Sequence, residues 1–408
     1  MKFFKKTAVV FIATAVNFLI AYGIHFFLGR FLGPVEYGKY GVVINLAWIN
    51  SIPLSALGVS LIKFSAGFNA KKEFGKLKFL LINFLKFSII MNLIFVLFYL
   101  LFSSTLSNYL GGGITNLIWI LALSLPLSGI GGILLNFLQG IKKIYQYSLI
   151  NVISPLSKIL FTVILVSLGF GAFGALSSVL ITSIVTLLLC LPFVLKYFSY
   201  PATKFTFSKI INFGVIIFFA NSFFNLILYF DLFFVSSFLG QETAGFYNAA
   251  IVLSRSFLMS FSIMAVFFPE FSGDAEIKDI KKLKSNLKWA LLYTGIICFI
   301  GVLSFWLLPE FIITLTYSQS FLKSVPFLKI LSIGYSFFCL FNVLVNVLWS
   351  LNKHKLTGIL GLFLFIIDIT LLYLLVPIGG ALAAAYITTG LLGTLFFSSL
   401  ILTFKFLK

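Results

Sequence analysis

Acidic residues are scarce in this chain: ten Asp and Glu among 408 residues, against 29 Lys and Arg. Charged residues of both signs make up only 10%, where soluble domains carry about 25%, so a soluble globular class is excluded. Cysteine is nearly absent. Cys190, Cys298 and Cys339 lie in separate apolar segments, a pattern that fits neither a disulfide framework nor a metal site and leaves them as packing residues. No Gly-rich loop followed by Lys-Ser or Lys-Thr occurs, which argues against direct use of ATP. No polar stretch exceeds roughly twenty residues, too little for a separate catalytic domain. No cofactor is called for. What remains is 61% hydrophobic, with a mean hydropathy of +1.14. Apolar runs of about 20 residues recur throughout, each long enough to cross about 30 Å of hydrocarbon as a helix.

These runs predict an all-α polytopic membrane protein of about twelve helices, at 8–30, 39–62, 80–102, 114–138, 149–168, 174–195, 210–238, 246–268, 289–308, 325–349, 356–376 and 380–403. The N-terminal Met1-Lys2-Phe3-Phe4-Lys5-Lys6 leads into a run that continues to Gly29-Arg30. It reads as a first span rather than a cleaved signal peptide. Connections on one side hold 22 of the 29 basic residues, so the positive-inside rule places both termini in the cytoplasm of a cell whose plasma membrane the chain spans. The net charge of +19 is then topology. Lysines dispersed over seven short loops without a motif do not read as a nucleic-acid surface. The mixed segment Glu270–Lys288 reads as a surface helix, and Gly169–Gly174, Gly240–Gly245 and Pro377–Gly379 as short outward loops.

One stretch occurs twice. Phe31-Leu32-Gly33-Pro34-Val35-Glu36-Tyr37-Gly38-Lys39-Tyr40 returns as Phe238-Leu239-Gly240-Gln241-Glu242-Thr243-Ala244-Gly245-Phe246-Tyr247, at a constant offset of 207. Gly174-Ala175-Leu176 likewise matches Gly380-Ala381-Leu382, and Asn136-Phe137-Leu138 resembles Asn346-Val347-Leu348. Six spans per copy give both copies the same polarity. The expected architecture is therefore two parallel six-helix lobes, 1–200 and 201–408, related by a pseudo-twofold along the membrane normal and joined by the linker Lys196–Lys209.

Gly29-Arg30-Phe31-Leu32-Gly33-Pro34 closing one helix, then Glu36-Tyr37-Gly38-Lys39-Tyr40 opening the next, resembles the lipid-linked oligosaccharide flippases. These are the Wzx-type O-antigen and other polysaccharide exporters of the multidrug/oligosaccharidyl-lipid/polysaccharide superfamily. The resemblance covers essentially the whole chain, although some members have fourteen spans. It implies a MATE-like pair of lobes around a cavity that takes the diphosphate-sugar head of a polyprenyl-linked glycan while the lipid tail stays in the bilayer.

Ionisable groups deep in a span are costly and mark candidate sites. Lys158 lies about ten residues, or about 15 Å, into span five, too far for easy snorkelling. Arg255 lies in mid-span eight. With Arg30, at the end of span one, it is one of only two arginines in the chain, and a guanidinium offers a planar two-pronged donor to phosphate. Lys86, in span three, is close enough to an end to snorkel. Asp231 in span seven falls at the depth of Arg255, so an ion pair between them is feasible, either structural or as a switch. Asp368 in span eleven has no basic partner at its depth; it is a proton or cation site, or a buried neutral acid. Asn17 and His25 lie with Thr14 and Ala21 along one stripe of span one, and Asn221 and Asn225 with Ser222 and Tyr229 along one stripe of span seven. Such stripes either join helices or bind sugar hydroxyls.

The expected function is a flippase for polyprenyl-diphosphate oligosaccharides, working by alternating access as a monomer in the bilayer. Lys158, Arg255, Arg30, Lys86, Asn17, His25, Asn221 and Asn225 meet the substrate, and Asp231 and Asp368 take H+ or Na+ as coupling ion. The alternative is a MATE-type multidrug or metabolite cation antiporter, for which the two acids speak. A membrane glycosyltransferase, ligase or polymerase would need a sizeable outward loop, and none is present, so the chain is not expected to be an enzyme.

Overall fold

The computed structural model describes residues 2–205 and 208–407, with the side chains of all of these except residues 2–15, 208, 209, 211–213, 217, 221 and 265. Among the described residues the fold is helix and connection, with no strand. A bilayer offers no water to satisfy backbone groups, so an apolar chain that crosses it must close its hydrogen bonds within each segment. The helices are α1 (Lys2–Ala70), α2 (Phe74–Tyr109), α3 (Thr115–Gly140), α4 (Ile144–Leu165), α5 (Gly171–Phe198), α6 (Ser208–Ser254), α7 (Met264–Glu276), α8 (Ile280–Leu307), α9 (Pro309–Thr316), α10 (Val325–Ser350) and α11 (His354–Phe406). A π-helical segment, Val166–Phe170, joins α4 to α5, and a 3-10 segment, Arg255–Ile263, joins α6 to α7.

Eight stretches are long and apolar enough to cross a membrane, and four of them run 55, 55, 42 and 53 residues. Each of those four holds two spans, which makes twelve. The expected outward loops are not loops. The chain stays helical through them apart from a break at a glycine: Gly33 (φ 68°, ψ 174°), Gly240 (φ 79°, ψ 175°) and Gly380 (φ 66°, ψ −162°), with Gly169 and Gly171 between α4 and α5. Only glycine takes such a positive φ with extended ψ at no steric cost. Gly33 and Gly240 share one conformation at the repeat offset. Gly380 pairs by backbone with Gly171 (φ 53°, ψ −140°), three residues before the Gly174 that the sequence match suggests.

The lysine-rich connections repeat a different device. Lys72, Lys142, Lys278 and Asn352 all have φ near 60°. In each, the left-handed residue donates to the carbonyl three back and its successor to the carbonyl five back: Lys72 N to Asn69 O with Glu73 N to Phe68 O, and Lys142 N to Gln139 O with Lys143 N to Leu138 O. The other two are Lys278 N to Ala275 O with Asp279 N to Asp274 O, and Asn352 N to Trp349 O with Lys353 N to Leu348 O. This is the Schellman closure, built without glycine in all four turns. Glu270–Lys288 is thereby not a separate surface helix. It is the end of α7 and the start of α8 folded back at Lys278, with Lys282 Nζ 3.3 Å from Glu270 and 3.1 Å from Asp274.

The chain divides into two compact units. One carries the chain up to Leu32 and Lys39–Phe218; the other carries Gly33–Gly38 and the chain from Phe219 onward. The linker packs on the first unit, where Thr203 N–H donates to Gly75 O at 3.1 Å. The first unit's core of Leu77, Leu80, Phe84, Phe137, Leu138 and Val194 sits near the lysine-rich turns, as does the second unit's core of Phe271, Leu283, Leu287, Leu344, Val347 and Leu407. Water at those ends supplies a hydrophobic drive that is missing at mid-depth. Within the spans, close glycine contacts take over. A Cβ at Gly129 would lie 2.3 Å from Asn92 Nδ2, and one at Gly301 would lie 2.1 Å from Phe257.

The two copies of the repeated motif meet inside the second unit. A Cβ on Gly38 would fall 2.0 Å from Gln241 O, and one on Gly245 would fall 1.9 Å from Pro34 O. The contact is reciprocal: Gly38 and Gly245 are repeat equivalents, and so are Pro34 and Gln241.

Candidate functional site

In the first unit, spans one and five run side by side. Asn17 Nδ2 donates to Asn151 O at 3.5 Å, and a Cβ at Gly23 would touch Ile159 at 3.6 Å. Asn151, Ser154 and Lys158 share one face of α4 by their i, i+3, i+7 spacing. Ser154 accepts from Thr186 Oγ1 at 2.8 Å. Lys158 is half-buried, and among the described residues it has no hydrogen bond and no ion pair. His25 is half-buried too, with its ring 6.1 Å from that of Tyr40.

The remaining expected cations lie elsewhere. Lys86 is exposed, on a stretch of α2 where Phe87, Ile89 and Ile90 are exposed as well. Arg30 is exposed at the end of span one. Neither shares the Lys158 face of α4. Asn221 lies outside the described side chains. Asn225 is half-buried and has a partner.

The second unit holds a connected polar group. Arg255 opens the 3-10 segment in the middle of span eight, a geometry that often marks a functional hinge. Its Nε donates to Tyr335 Oη at 3.1 Å, its Nη2 donates to the Leu228 carbonyl, and its guanidinium carbon stands 4.7 Å from the Tyr229 ring centre. Asp231 is fully buried. Its Oδ2 accepts from Tyr247 Oη at 3.0 Å and Thr388 Oγ1 at 3.2 Å, and its Oδ1 accepts from Leu232 N–H at 2.8 Å. The feasible Asp231–Arg255 ion pair does not form as a direct salt bridge. Hydroxyl and backbone donors occupy the carboxylate, and a carbonyl and tyrosines occupy the guanidinium.

Asp368 is the outlier. It is fully buried in α11, and among the described residues neither carboxylate oxygen has a donor. A second acid, Asp231, acts on it through its charge. An ionised carboxylate in that setting would cost several kcal/mol without a counter-charge. The group is therefore suited to hold a proton or receive a cation.

Tyr229, Tyr335, Tyr247 and Thr388 complete this group. Span seven's stripe had flagged Tyr229. Tyr247 was the last residue of the repeated motif, and for Tyr335 and Thr388 the only signal was a polar side chain inside an apolar span.

Comparison with known proteins places the chain. The model of a family described as polysaccharide biosynthesis protein matches residues 3–273, about two-thirds of the chain. A Shigella flexneri protein assigned as an O-antigen transporter is 26% identical over 394 residues, which cover 91% of this chain and 90% of that one. An inward-facing structure of a multidrug resistance MATE family transporter of the MOP superfamily superposes with a TM-score of 0.80 at 14% identity, covering 98% of both chains. An inward closed structure of the lipid II flippase MurJ gives a TM-score of 0.74 at 17% identity, covering 98% of this chain and 87% of that one. The curated relative is a transporter and the solved neighbours are a transporter and a flippase, and the helical breaks and turns described above are those of a multi-pass membrane protein with this fold. The chain belongs to the polysaccharide biosynthesis protein family.

Proposed function

We propose that this protein moves a polyprenyl-diphosphate-linked oligosaccharide from the cytoplasmic to the outer leaflet of the plasma membrane by alternating access, for surface glycan assembly. The observation that carries the reading is Lys158, a half-buried cation in a membrane span that has no counter-ion among the described residues. A lone ammonium at that depth is stable only if water or an anion visits it. A diphosphate head supplies the anion, and the ammonium replaces the water that the head gives up on leaving the cytoplasm. Arg255 is the matching cation of the second half. Its two tyrosines hold the guanidinium without neutralising it, which leaves its charge for a phosphate. The shared fold and the O-antigen transporter relative support the same substrate class.

Asp368, with Asp231 beside it, serves as the coupling site for H+ or Na+. Bringing a cation to an unsatisfied buried carboxylate removes its desolvation cost, so occupancy and conformation become linked. The halves 1–200 and 201–408 act as the two moving lobes of a monomer whose termini are cytoplasmic.

A second reading rests on the same aspartate. A buried acid without a donor also suits a cation antiporter, and a MATE transporter shares the fold. Complementation of a strain lacking its O-antigen flippase separates the two. Wild type is expected to restore surface polysaccharide, and the Lys158→Ala, Arg255→Ala double variant to fail at equal expression. Full rescue by the double variant rejects the cationic site. Drug efflux by wild type without any rescue favours the antiporter.

A further inference from the structure

Away from the charged groups, spans two, three and four of the first unit enclose a cavity of about 230 Å³. Asn50, Ser51, Ser55, Asn92, Ser128 and Asn136 line it, over a floor that includes Leu54 and Leu125. Asn50, Ser51, Asn92 and Ser128 lie toward the middle of their spans, and Asn136 lies near the end of span four. At about 30 Å³ per water, the volume takes seven or eight waters, or the roughly dozen heavy atoms of one sugar ring.

The hydrogen-bond accounting of the walls says which ligand fits. Ser51 Oγ donates to Trp48 O at 2.6 Å, Ser55 Oγ to Ile52 O at 2.8 Å and Ser128 Oγ to Leu125 O at 3.0 Å. Each hydroxyl proton is used on its own helix, and only the oxygen lone pairs are left for an occupant. Asn92 is 1% exposed, and its Nδ2 is taken by Ser88 O at 2.7 Å, while its Oδ1 accepts nothing. The Asn50 amide is engaged with Tyr99 Oη at 2.8 Å. Asn136 is half-buried, and among the described residues neither end of its amide has a partner. The cavity thus offers four acceptor oxygens and one amide that can give or take, with no charge of either sign.

An anion would be repelled by this wall, and an apolar chain would leave it unsatisfied. A molecule dense in O–H donors would not. We infer that this cavity is a subsite for one neutral, hydroxyl-rich sugar ring of the transported head group. The inference rests on the flippase reading and adds a place for the sugar, separate from the groups that meet the diphosphate. It also assigns Asn136 and Asn92 as specificity-determining residues, since a donor-poor or charged ring would not satisfy them.

Gly132 gives a clean test. It lies on the cavity wall, and a Cβ built there meets nothing within 4 Å. Gly132→Leu therefore starts from open space at its Cβ, is expected to fill the cavity, and removes a helix-interior glycine, so folding is favoured. Asn136→Leu is the second variant; it keeps the bulk and deletes the polarity. The full chain in nanodiscs is titrated with undecaprenyl diphosphate, bare or carrying a single glucose, galactose or N-acetylglucosamine. Melting temperature and gel-filtration profile serve as controls for folding. In wild type at least one sugar-bearing lipid is expected to bind about tenfold tighter than the bare lipid, the yield of two or three new hydrogen bonds. Both variants are expected to erase that gain and leave the bare lipid's Kd within about twofold of wild type. If none of the three sugars improves binding in wild type, or if the gain survives in Gly132→Leu, the cavity holds water only and the subsite is rejected. If wild type binds no diphosphate lipid at all, the flippase reading itself falls, and the subsite with it.

Discussion

Lys72, Lys142 and Gly171 turn the chain in the first unit where Lys278, Asn352 and Gly380 turn it in the second, at spacings of 206, 210 and 209 residues. Between these fixed points the interiors differ. The first unit encloses a lone lysine and a set of neutral amides and hydroxyls. The second encloses two carboxylates, an arginine and the tyrosines that hold them. Backbone closures persist through a duplication because sterics allow few alternatives. Side chains facing a cavity carry no such restriction. A duplicated transporter can therefore keep one mechanical frame while its two halves carry different side-chain chemistry.

The largest expected effect breaks the frame itself. Gly38→Val and Gly245→Val each drive a side chain into a backbone carbonyl about 2 Å away, a cost of at least several kcal/mol by overpacking against atoms that cannot rotate aside. Both should prevent accumulation of folded protein, and by similar amounts if the contact is reciprocal; yield and thermal melting in detergent read this directly. Next, Lys158→Ala should cut glycolipid transport by about ten- to a hundredfold, the value of one charge-assisted contact, with Lys158→Arg retaining most of it. Third, Asp368→Asn should leave the melting temperature unchanged or higher, since it removes a buried acid that has no donor. The same change should abolish the dependence of transport on a proton or sodium gradient. Together the last two separate the cargo role of Lys158 from the coupling role of Asp368, and an equal gradient effect of Lys158→Gln would blur that division.

Two smaller effects sharpen the comparison. Glycine at Lys72, Lys142 or Lys278 relieves a left-handed backbone and should stabilise by about 1 kcal/mol each, with less at Asn352 because asparagine already tolerates that region. Equal gains at Lys72 and Lys278 would confirm that the closures are equivalent. The smallest effect concerns Lys143. Burial first and Lys196 second hold its ammonium below the ordinary lysine range, while its Nζ donates to Phe193 O at 3.0 Å. The unfolded chain then binds this proton more tightly than the folded one. Stability should rise slightly as pH climbs from the depressed value toward about 10.5, the usual lysine pKa. Lys196→Gln should shrink that slope in melts between pH 8 and 10.

Much of the frame was legible before any coordinates. Hydropathy periods gave twelve spans, and the 207-residue offset paired Gly33 with Gly240. What stayed hidden has physical reasons. A glycine break looks like a loop because both interrupt a helical pattern, and only dihedrals show that the helix resumes at once. The Gly174 match misled by three residues, since Gly171-Ala172 and Gly174-Ala175 are alike in sequence. Lys158 and Asp368 stood out because a charge in an apolar run is costly wherever it points. Asn50 and Asn92 did not, because two asparagines per span are ordinary here, and Asn136 showed only as part of a repeat match; the convergence of the three is tertiary. The Asp231–Arg255 pair was plausible by depth alone, but depth does not reveal that Tyr247, Thr388 and Tyr335 reach them first.

The segment Gly33–Gly38 lies among residues of the second unit although its flanking helices belong to the first. A cut at the linker would therefore not yield two self-sufficient pieces. The front fragment would carry a plug with nothing to seat it, and the rear fragment a seat at Gln241–Gly245 with nothing to fill it. Expressed separately, each should be poorly behaved; expressed together, they should find one another through Pro34 and Gly245, so co-purification of the severed halves is the natural assay of how firmly this segment is seated.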